Sequence, residues 1–168
     1  ALCCSQCGHP FPITAGVADL SHDITAGDAD EWRRRLALHE QWWRNERGAP
    51  SRPAQHVWRP PAEVVTAYLE IGAACAAAGR LLDVGCAGGA RRRHFPNAHY
   101  TGIDPLRLLD VYAFPFAIAR GERLPFEDCW FKAAIAIEVL DHVIDPVRVL
   151  AEMTRVVEPH GTVFVFVT

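Results

Sequence analysis

The sequence predicts an α/β protein built on a parallel β-sheet. After residue 79, short apolar stretches of strand character alternate with helix-forming stretches, and a glycine-rich turn follows the first of them. The stretch at 132–138 is apolar without alternation, which is typical of a strand covered on both faces. Strand and helix in this order favour parallel strands joined by crossover helices. A length of 168 residues with 50% hydrophobic residues suits one domain of ordinary size, alone or with a small appendage.

The first half of the chain is predicted to be a loop followed by two helices. Residues 1–29 are rich in glycine, proline and small polar residues, which favour loops. One helix is expected from Asp28 or Asp30 to about Arg47, and a second from Pro61 to Gly79. Apolar or aromatic side chains spaced by three or four residues define one face of each helix. These residues are Trp32, Leu36, His39 and Trp43 in the first helix, and Val64, Tyr68, Ile71 and Cys75 in the second.

Five strands and two further helices are predicted in the second half. The strands are expected at 80–84, 99–103, 117–120, 132–138 and 162–168. A brief helix is expected over 104–111. A longer helix begins at Pro146, with Asp145 as its cap, and carries Val147, Leu150, Ala151 and Thr154 on one face. The last strand has no predicted cover, so we expect either that the chain is a fragment or that it forms a homo-oligomer through this exposed C-terminal strand.

The most informative stretch is the glycine-rich turn in LLDVGCAGG at 81–89. Glycine lets a backbone approach a ligand closely and adopts positive φ without strain. In open α/β sheets the ligand crevice lies beyond the carboxyl ends of the strands. Asp104 ends the next strand, 104 − 85 = 19 residues after Gly85, where a carboxylate can accept hydrogen bonds from a ribose diol. The pattern therefore predicts a nucleoside site.

The motif departs from those that bind diphosphates. A dinucleotide site needs G-x-G-x-x-G, but Ala87 and Ala90 stand at the second and third glycine positions. A phosphate loop needs a lysine that this stretch lacks. A nucleoside without phosphate fits better, and Asp83 adds negative charge that suits an ammonium group. A nicotinamide oxidoreductase is disfavoured on the same grounds.

These motifs, in their order, resemble the class I S-adenosylmethionine-dependent methyltransferases, and in particular a bacterial branch that acts on small molecules. The resemblance covers roughly residues 80–168. It is carried by LLDVGCAGG (81–89), YTGIDPL (100–106), GERLPFED (121–128), AIEVLDHVIDP (136–146) and EMTRVVEPHGTVFVF (152–166). It implies a Rossmann-like parallel sheet with strand order 3-2-1-4-5, N-terminal helices, and no counterpart of the usual last two strands. It implies methyl transfer from S-adenosyl-L-methionine to a small-molecule acceptor. The alternative is a non-catalytic methyltransferase-like module that binds a partner or oligomerises.

The resemblance also implies roles for individual residues. The turn would wrap the methionine and ribose, the end of the second strand would hold the ribose and adenine, and a later loop would form the adenine rim. Arg120 stands where many members carry an acid for the adenine amino group, so Glu122 is the candidate replacement. His142 is the candidate base. The implied cofactor-binding residues are Asp83, Gly85, Cys86, Ala87, Gly88, Asp104, Pro105, Leu106, Glu122, Leu124 and Glu138.

The N-terminal cysteines raise the question of zinc. The segment around Cys4-x-x-Cys7 looks like the second half of a small zinc ribbon, so Cys4 and Cys7 are candidate ligands. Structural zinc takes four ligands, and two thiolates supply only half of them, so this chain is expected to lack zinc. We therefore divide the chain into a cysteine-containing segment (1–29), a helical cap (30–79) and a methyltransferase core (80–168).

Composition narrows the partners and the compartment. A net charge of −3 implies no general attraction to nucleic acid or to a membrane surface. The longest apolar run, 71–78, is far too short to cross a bilayer. The three cysteines outside the N-terminal segment are scattered through apolar stretches, which favours a reducing, cytoplasmic setting.

Overall fold

The computed structural model describes residues 2–3, 8–21, 29–48, 60–75, 79–109 and 111–167, with the backbone alone at 29 and 42–48. The helices are α1 (Ala29–Gly48), α2 (Ala62–Cys75) and α3 (Pro146–Val156), and a 3₁₀ turn spans Ala90–His94. The strands in these residues are β1 (Leu2–Cys3), β2 (Pro10–Phe11), β3 (Ile13–Thr14), β4 (Val17–Asp19), β5 (Arg80–Val84), β6 (His99–Asp104), β7 (Phe116–Ile118), β8 (Phe131–Ile137) and β9 (Val157–Phe166). No helix among them has a stretch long and apolar enough to span a membrane.

The main sheet has seven strands in the order β3-β4-β7-β6-β5-β8-β9. The five strands from β5 to β9 are parallel to their neighbours in this sheet. Numbered along the chain, they stand in the order 3-2-1-4-5, so the predicted Rossmann-like topology is confirmed. β5 lies at the centre, where Leu82 pairs with Thr101 on one side and with Ala134 on the other.

Two N-terminal strands extend this sheet beyond β7, where the sequence predicted only loop. β4 runs parallel to β7, with Ala18 opposite Ala117, and β3 pairs antiparallel with β4. The Leu20 amide donates to the Ile118 carbonyl at 2.7 Å. Strands of two or three residues are too short to show an alternating pattern, so tertiary pairing rather than local sequence forms them.

Helix α2 buries the face that the sequence predicted. Val64, Tyr68, Ile71 and Cys75 are all buried, in one cluster with residues of β5, β6 and β8. Helix α3, in contrast, buries Val149, Met153 and Val156. Val147 is 74% exposed, so the face predicted for this helix was wrong.

The helix predicted over 104–111 is absent from the part of it that the structure describes, 104–109 and 111. In this loop, backbone N–H groups that would donate to carbonyls in a helix donate to side chains instead. The Leu106 amide donates to the Asp104 carboxylate at 2.8 Å. The amides of Leu108 and Leu109 donate to the Tyr112 hydroxyl, at 3.0 and 3.3 Å. Because an Asp side chain competes locally with helical hydrogen bonds, the chain leaves β6 in an irregular loop.

Candidate functional site

A cleft of about 1100 Å³ lies at the carboxyl ends of β5, β6 and β8. This is the end of a parallel sheet at which ligands bind in open α/β folds. Its volume slightly exceeds the range usual for one drug-sized ligand, so it has room for a nucleoside and a second small molecule. The walls come from the glycine-rich turn, the loops after β6, β7 and β8, the 3₁₀ turn, one face of α1 and Tyr68 of α2.

The glycine-rich turn forms the floor of the cleft in a conformation that glycine favours. Gly85 and Gly89 have φ of +68° and +71°. A Cβ on Gly85 would lie 2.5 Å from Val139 Cγ2, which would not fit. At Gly88 a Cβ would meet only Leu109, at 3.8 Å, so the space over this residue is open. A ligand can therefore approach the backbone closely at Gly88.

Asp104 points its carboxylate at this turn. Its Oδ2 accepts from the Ala87 amide at 2.9 Å, and its Oδ1 accepts from the Leu106 amide. Only 8% of the residue is exposed, and burial raises the pKa of Asp104 to about 6 against the opposing effect of these two hydrogen bonds. A carboxylate offers about four acceptor positions, so two remain for a ligand.

Asp83 lies beneath the turn and does not line the cleft. It is fully buried, and the Arg91 guanidinium approaches it with Nε at 2.9 Å from Oδ2 and Nη2 at 3.1 Å from Oδ1. The Tyr100 hydroxyl donates to the same carboxylate. Arg91 Nη2 also donates to the Gly85 carbonyl at 2.6 Å. The charge of Asp83 is therefore matched within the protein, and Arg91 connects it to the turn.

Of the two residues predicted to form the adenine rim, one lines the cleft and the other lies in the core. Glu122 lines the cleft, where its Oε1 accepts from the Ile144 amide at 3.0 Å and its Oε2 lies 3.4 Å from Arg120 Nε. The Arg120 guanidinium stands 5.4 Å from the centre of the Trp32 ring on α1. Leu124 is buried in the hydrophobic core and is absent from the cleft wall.

The loop after β8 brings the predicted base to the cleft. Glu138, at φ +54°, lines the cleft together with His142. His142 Nε2 lies 3.1 Å from Asp141 Oδ2, and its ring makes an edge contact with His39 of α1 at 4.1 Å between centroids. Burial and the neighbouring His142 lower the pKa of His39, which favours the neutral imidazole. Arg35 of α1 donates to the Val143 carbonyl at 2.7 Å, which connects α1 to this loop.

Residues 82–165, half of the chain, match the family described as methyltransferase domain. The chain belongs to this family. It is 30% identical over 129 residues to an uncharacterized methyltransferase of Schizosaccharomyces pombe, and the match covers 64% of this chain and 45% of that protein. It is 32% identical over 107 residues to a ubiquinone biosynthesis O-methyltransferase of Aeromonas salmonicida, covering 51% of this chain and 42% of that protein. The crystal structure of the [4+2]-cyclase SpnF superimposes with a TM-score of 0.53 and 25% identity, over 60% of this chain and 43% of that one. The chain spans about half the length of the relatives it matches.

Most of the residues that the resemblance assigns to the cofactor lie together in this methyltransferase domain. Their role in binding stays a prediction, as does the role of His142. Those on the cleft wall are Gly85, Cys86, Ala87, Gly88, Asp104, Pro105, Leu106, Glu122 and Glu138.

Sequence reasoning did not single out the α1 wall or Arg91. Trp32, Leu36 and His39 belong to the periodic face predicted for the first helix, and all three line the cleft. The sequence pattern predicts no role for Arg91. A carboxylate on a buried strand needs a matching cation, and this requirement could have pointed to an arginine close in sequence to Asp83.

The zinc prediction falls on residues outside the described part of the chain. Cys4 and Cys7 both lie there, so the site they would form stays a prediction. Within the described ranges, no group of three or more His, Cys, Asp or Glu residues could hold a metal ion.

Proposed function

We propose that this methyltransferase domain binds S-adenosyl-L-methionine in the cleft and transfers the methyl group to a small-molecule acceptor. The observation that carries the proposal is the Asp104 carboxylate, which is fixed against the glycine-rich turn and still has acceptor positions left. The open space over Gly88 lets the cofactor approach the backbone. The missing diphosphate motifs support a ligand without phosphate.

Once bound, the cofactor supplies a methyl group that is already activated by its positively charged sulfur. The protein therefore has to bind, to orient and to exclude water. Asp104 accepts hydrogen bonds from the ribose hydroxyls, and Pro105 and Leu106 border the adenine. Because Arg91 matches the charge of Asp83, Glu138 is the carboxylate that we assign to the methionine ammonium group. Val139, the next residue, lies directly beside Gly85, which supports this assignment.

We propose a hydroxyl oxygen as the acceptor atom, because several relatives are named ubiquinone biosynthesis O-methyltransferases. A hydroxyl must lose its proton as the methyl group is transferred. His142 is the base we propose, and Asp141 beside Nε2 would stabilise the imidazolium that forms. The contact with His39 places a second imidazole at the same end of the cleft.

A second candidate function is a domain of this fold that binds an adenosyl ligand without transferring its methyl group. The observation that favours it is that one structural neighbour, SpnF, is a [4+2]-cyclase. A fold by itself does not determine the reaction.

Calorimetric titration with S-adenosylmethionine and S-adenosylhomocysteine tests the proposal. We expect both to bind, and Asp104→Asn to weaken both by about tenfold or more, since a hydrogen bond to a charged group contributes about 1.5–3 kcal/mol. Asp128→Asn is the matched control, because this carboxylate is exposed and does not line the cleft. No binding of either compound by the unaltered chain would refute the proposal. Binding of S-adenosylmethionine without release of S-adenosylhomocysteine in the presence of hydroxyl-bearing small molecules would favour the second candidate.

A further inference from the structure

The charges on the cleft wall leave one cation unmatched. Four arginines line the cleft. Three have a carboxylate partner: Arg35 with Glu31, Arg91 with Asp83, and Arg120 with Glu122. The fourth, Arg93, has no carboxylate within ion-pair distance among the residues that the structure describes.

Arg93 is exposed, and among the described residues it forms its one hydrogen bond with an imidazole rather than with a carboxylate. Its Nε donates to His94 Nε2 at 3.3 Å, so that ring nitrogen carries no proton. Burial and the charge of Arg93 both lower the pKa of His94, which maintains the neutral form. The terminal nitrogens of Arg93 donate to no other group in the described ranges. A planar fork of donors with this geometry is suited to bind a carboxylate through two hydrogen bonds.

Tyr68 adds a buried donor to the same wall. Its ring lies 5.0 Å from that of His94, and both residues line the cleft. The residue is 2% exposed, and its hydroxyl has no hydrogen-bond partner in the part of the chain that is described. Burial raises the pKa of Tyr68 to about 12, so the hydroxyl keeps its proton. A buried hydroxyl without a partner is unfavourable, and an acceptor atom of a ligand would satisfy it.

We propose that Arg93 and Tyr68, with His94 in contact with both, form a subsite for a carboxylate at the side of the cleft built by α2 and the 3₁₀ turn. The inference rests on the function proposed above, because it concerns the same cleft. Such a carboxylate has two sources: the amino-acid end of the adenosyl ligand, or an anionic group on the methyl acceptor. The two sources share one chemistry, and two pairs of probes distinguish them.

Each pair contains one ligand with a carboxylate and one without. S-adenosylhomocysteine is compared with 5′-methylthioadenosine, which lacks the amino-acid part. 4-Hydroxybenzoate is compared with phenol, with the chain saturated by S-adenosylhomocysteine. All four are titrated by calorimetry into the unaltered chain and into Arg93→Met. Arg92→Met is the matched control, because Arg92 is exposed like Arg93 but does not line the cleft.

We expect Arg93→Met to weaken the carboxylate member of one pair by about tenfold or more and its counterpart by less than about twofold. The pair that responds identifies the source. Arg93→Lys should recover part of the affinity, and Tyr68→Phe, which removes only the hydroxyl, should weaken the same ligand severalfold. Thermal unfolding verifies that each variant is folded.

The proposal is overturned if Arg93→Met leaves the affinity for both pairs of ligands unchanged, or if it lowers the affinity for both members of a pair equally. It is also overturned if the unaltered chain does not prefer the carboxylate member of either pair. Failure to bind either adenosyl compound refutes the proposed function instead. The benzoate and phenol titrations, repeated without nucleoside, then still decide whether the subsite exists.

Discussion

Replacement of Arg91 by methionine tests whether the ion pair beneath the turn stabilises the fold. Methionine keeps most of the apolar stem but removes the guanidinium. All three contacts to Asp83, at 2.9, 3.1 and 3.3 Å, and the 2.6 Å hydrogen bond to the Gly85 carbonyl are lost. Asp83 is then a fully buried carboxylate with the Tyr100 hydroxyl as its remaining described donor. Removing one partner of a buried ion pair costs about 3–5 kcal/mol, since the other charge stays buried.

Urea denaturation measures this loss as a change in the free energy of unfolding. Arg92→Met should change it by less than about 0.5 kcal/mol, because Arg92 is exposed. The double variant Asp83→Asn/Arg91→Met removes the uncompensated charge and should be about 2 kcal/mol more stable than Arg91→Met alone. The reasoning is refuted if Arg91→Met costs less than about 1 kcal/mol, or if the double variant is no more stable than the single one.

Three further predictions concern the turn, a loop and the pH. Gly89→Ala would drive a Cβ into the Phe114 ring at positive φ and should cost at least about 2 kcal/mol of unfolding free energy. Gly88→Ala, with open space, should cost under about 1 kcal/mol, and equal losses would contradict this account. Arg155→Lys should lower the unfolding free energy by about 2 kcal/mol, because the guanidinium binds Glu152 of α3 and, in the loop before β8, Asp128 and two backbone carbonyls. An unchanged urea midpoint would contradict this prediction. Finally, with the pKa of Asp104 at about 6, its ionised form is present above that pH and lost below it. Affinity for S-adenosylhomocysteine should therefore fall about tenfold between pH 7.5 and pH 5 in calorimetry, and a flat profile would count against Asp104 as the ribose ligand.

The central sheet could be predicted because the sequences of its strands do not also fit a helix. Residues 133–137 are apolar at consecutive positions and too few for a typical helix, and β8 is indeed buried between neighbours on both sides. The face of α2 was predictable for a similar reason, since its four periodic residues coincide with those that are buried.

Helix α3 shows where this reasoning fails. Its sequence contains two apolar stripes, one through Val147 and Leu150 and one through Val149 and Met153. Both fit a helical period, and the second is buried against the core cluster that contains Leu82 of β5. The sequence pattern leaves the rotation of such a helix open, and packing decides it.

The arginine run at 91–93 shows a second limit. Arg91 pairs with Asp83, Arg93 lines the cleft, and Arg92 faces outward. A helical turn of about three residues spreads consecutive side chains over all sides of its axis. Three identical residues therefore have three different environments, which composition alone does not distinguish.

The position of Asp104 depends on the strand register more than on the loop that follows. Val84 of β5 pairs with Ile103 of β6, so Gly85 and Asp104 lie opposite each other as the two strands end. Both Val84 and Ile103 are buried in one core cluster with Leu82, and that packing specifies the register. A slip by one residue would turn these side chains and the carboxylate to the opposite face of the sheet. The apolar residues that stabilise the sheet thus also place the carboxylate against the turn, and Arg91 holds the same turn from below. Because both anchors are in place before any ligand arrives, a nucleoside that binds here has little backbone left to order.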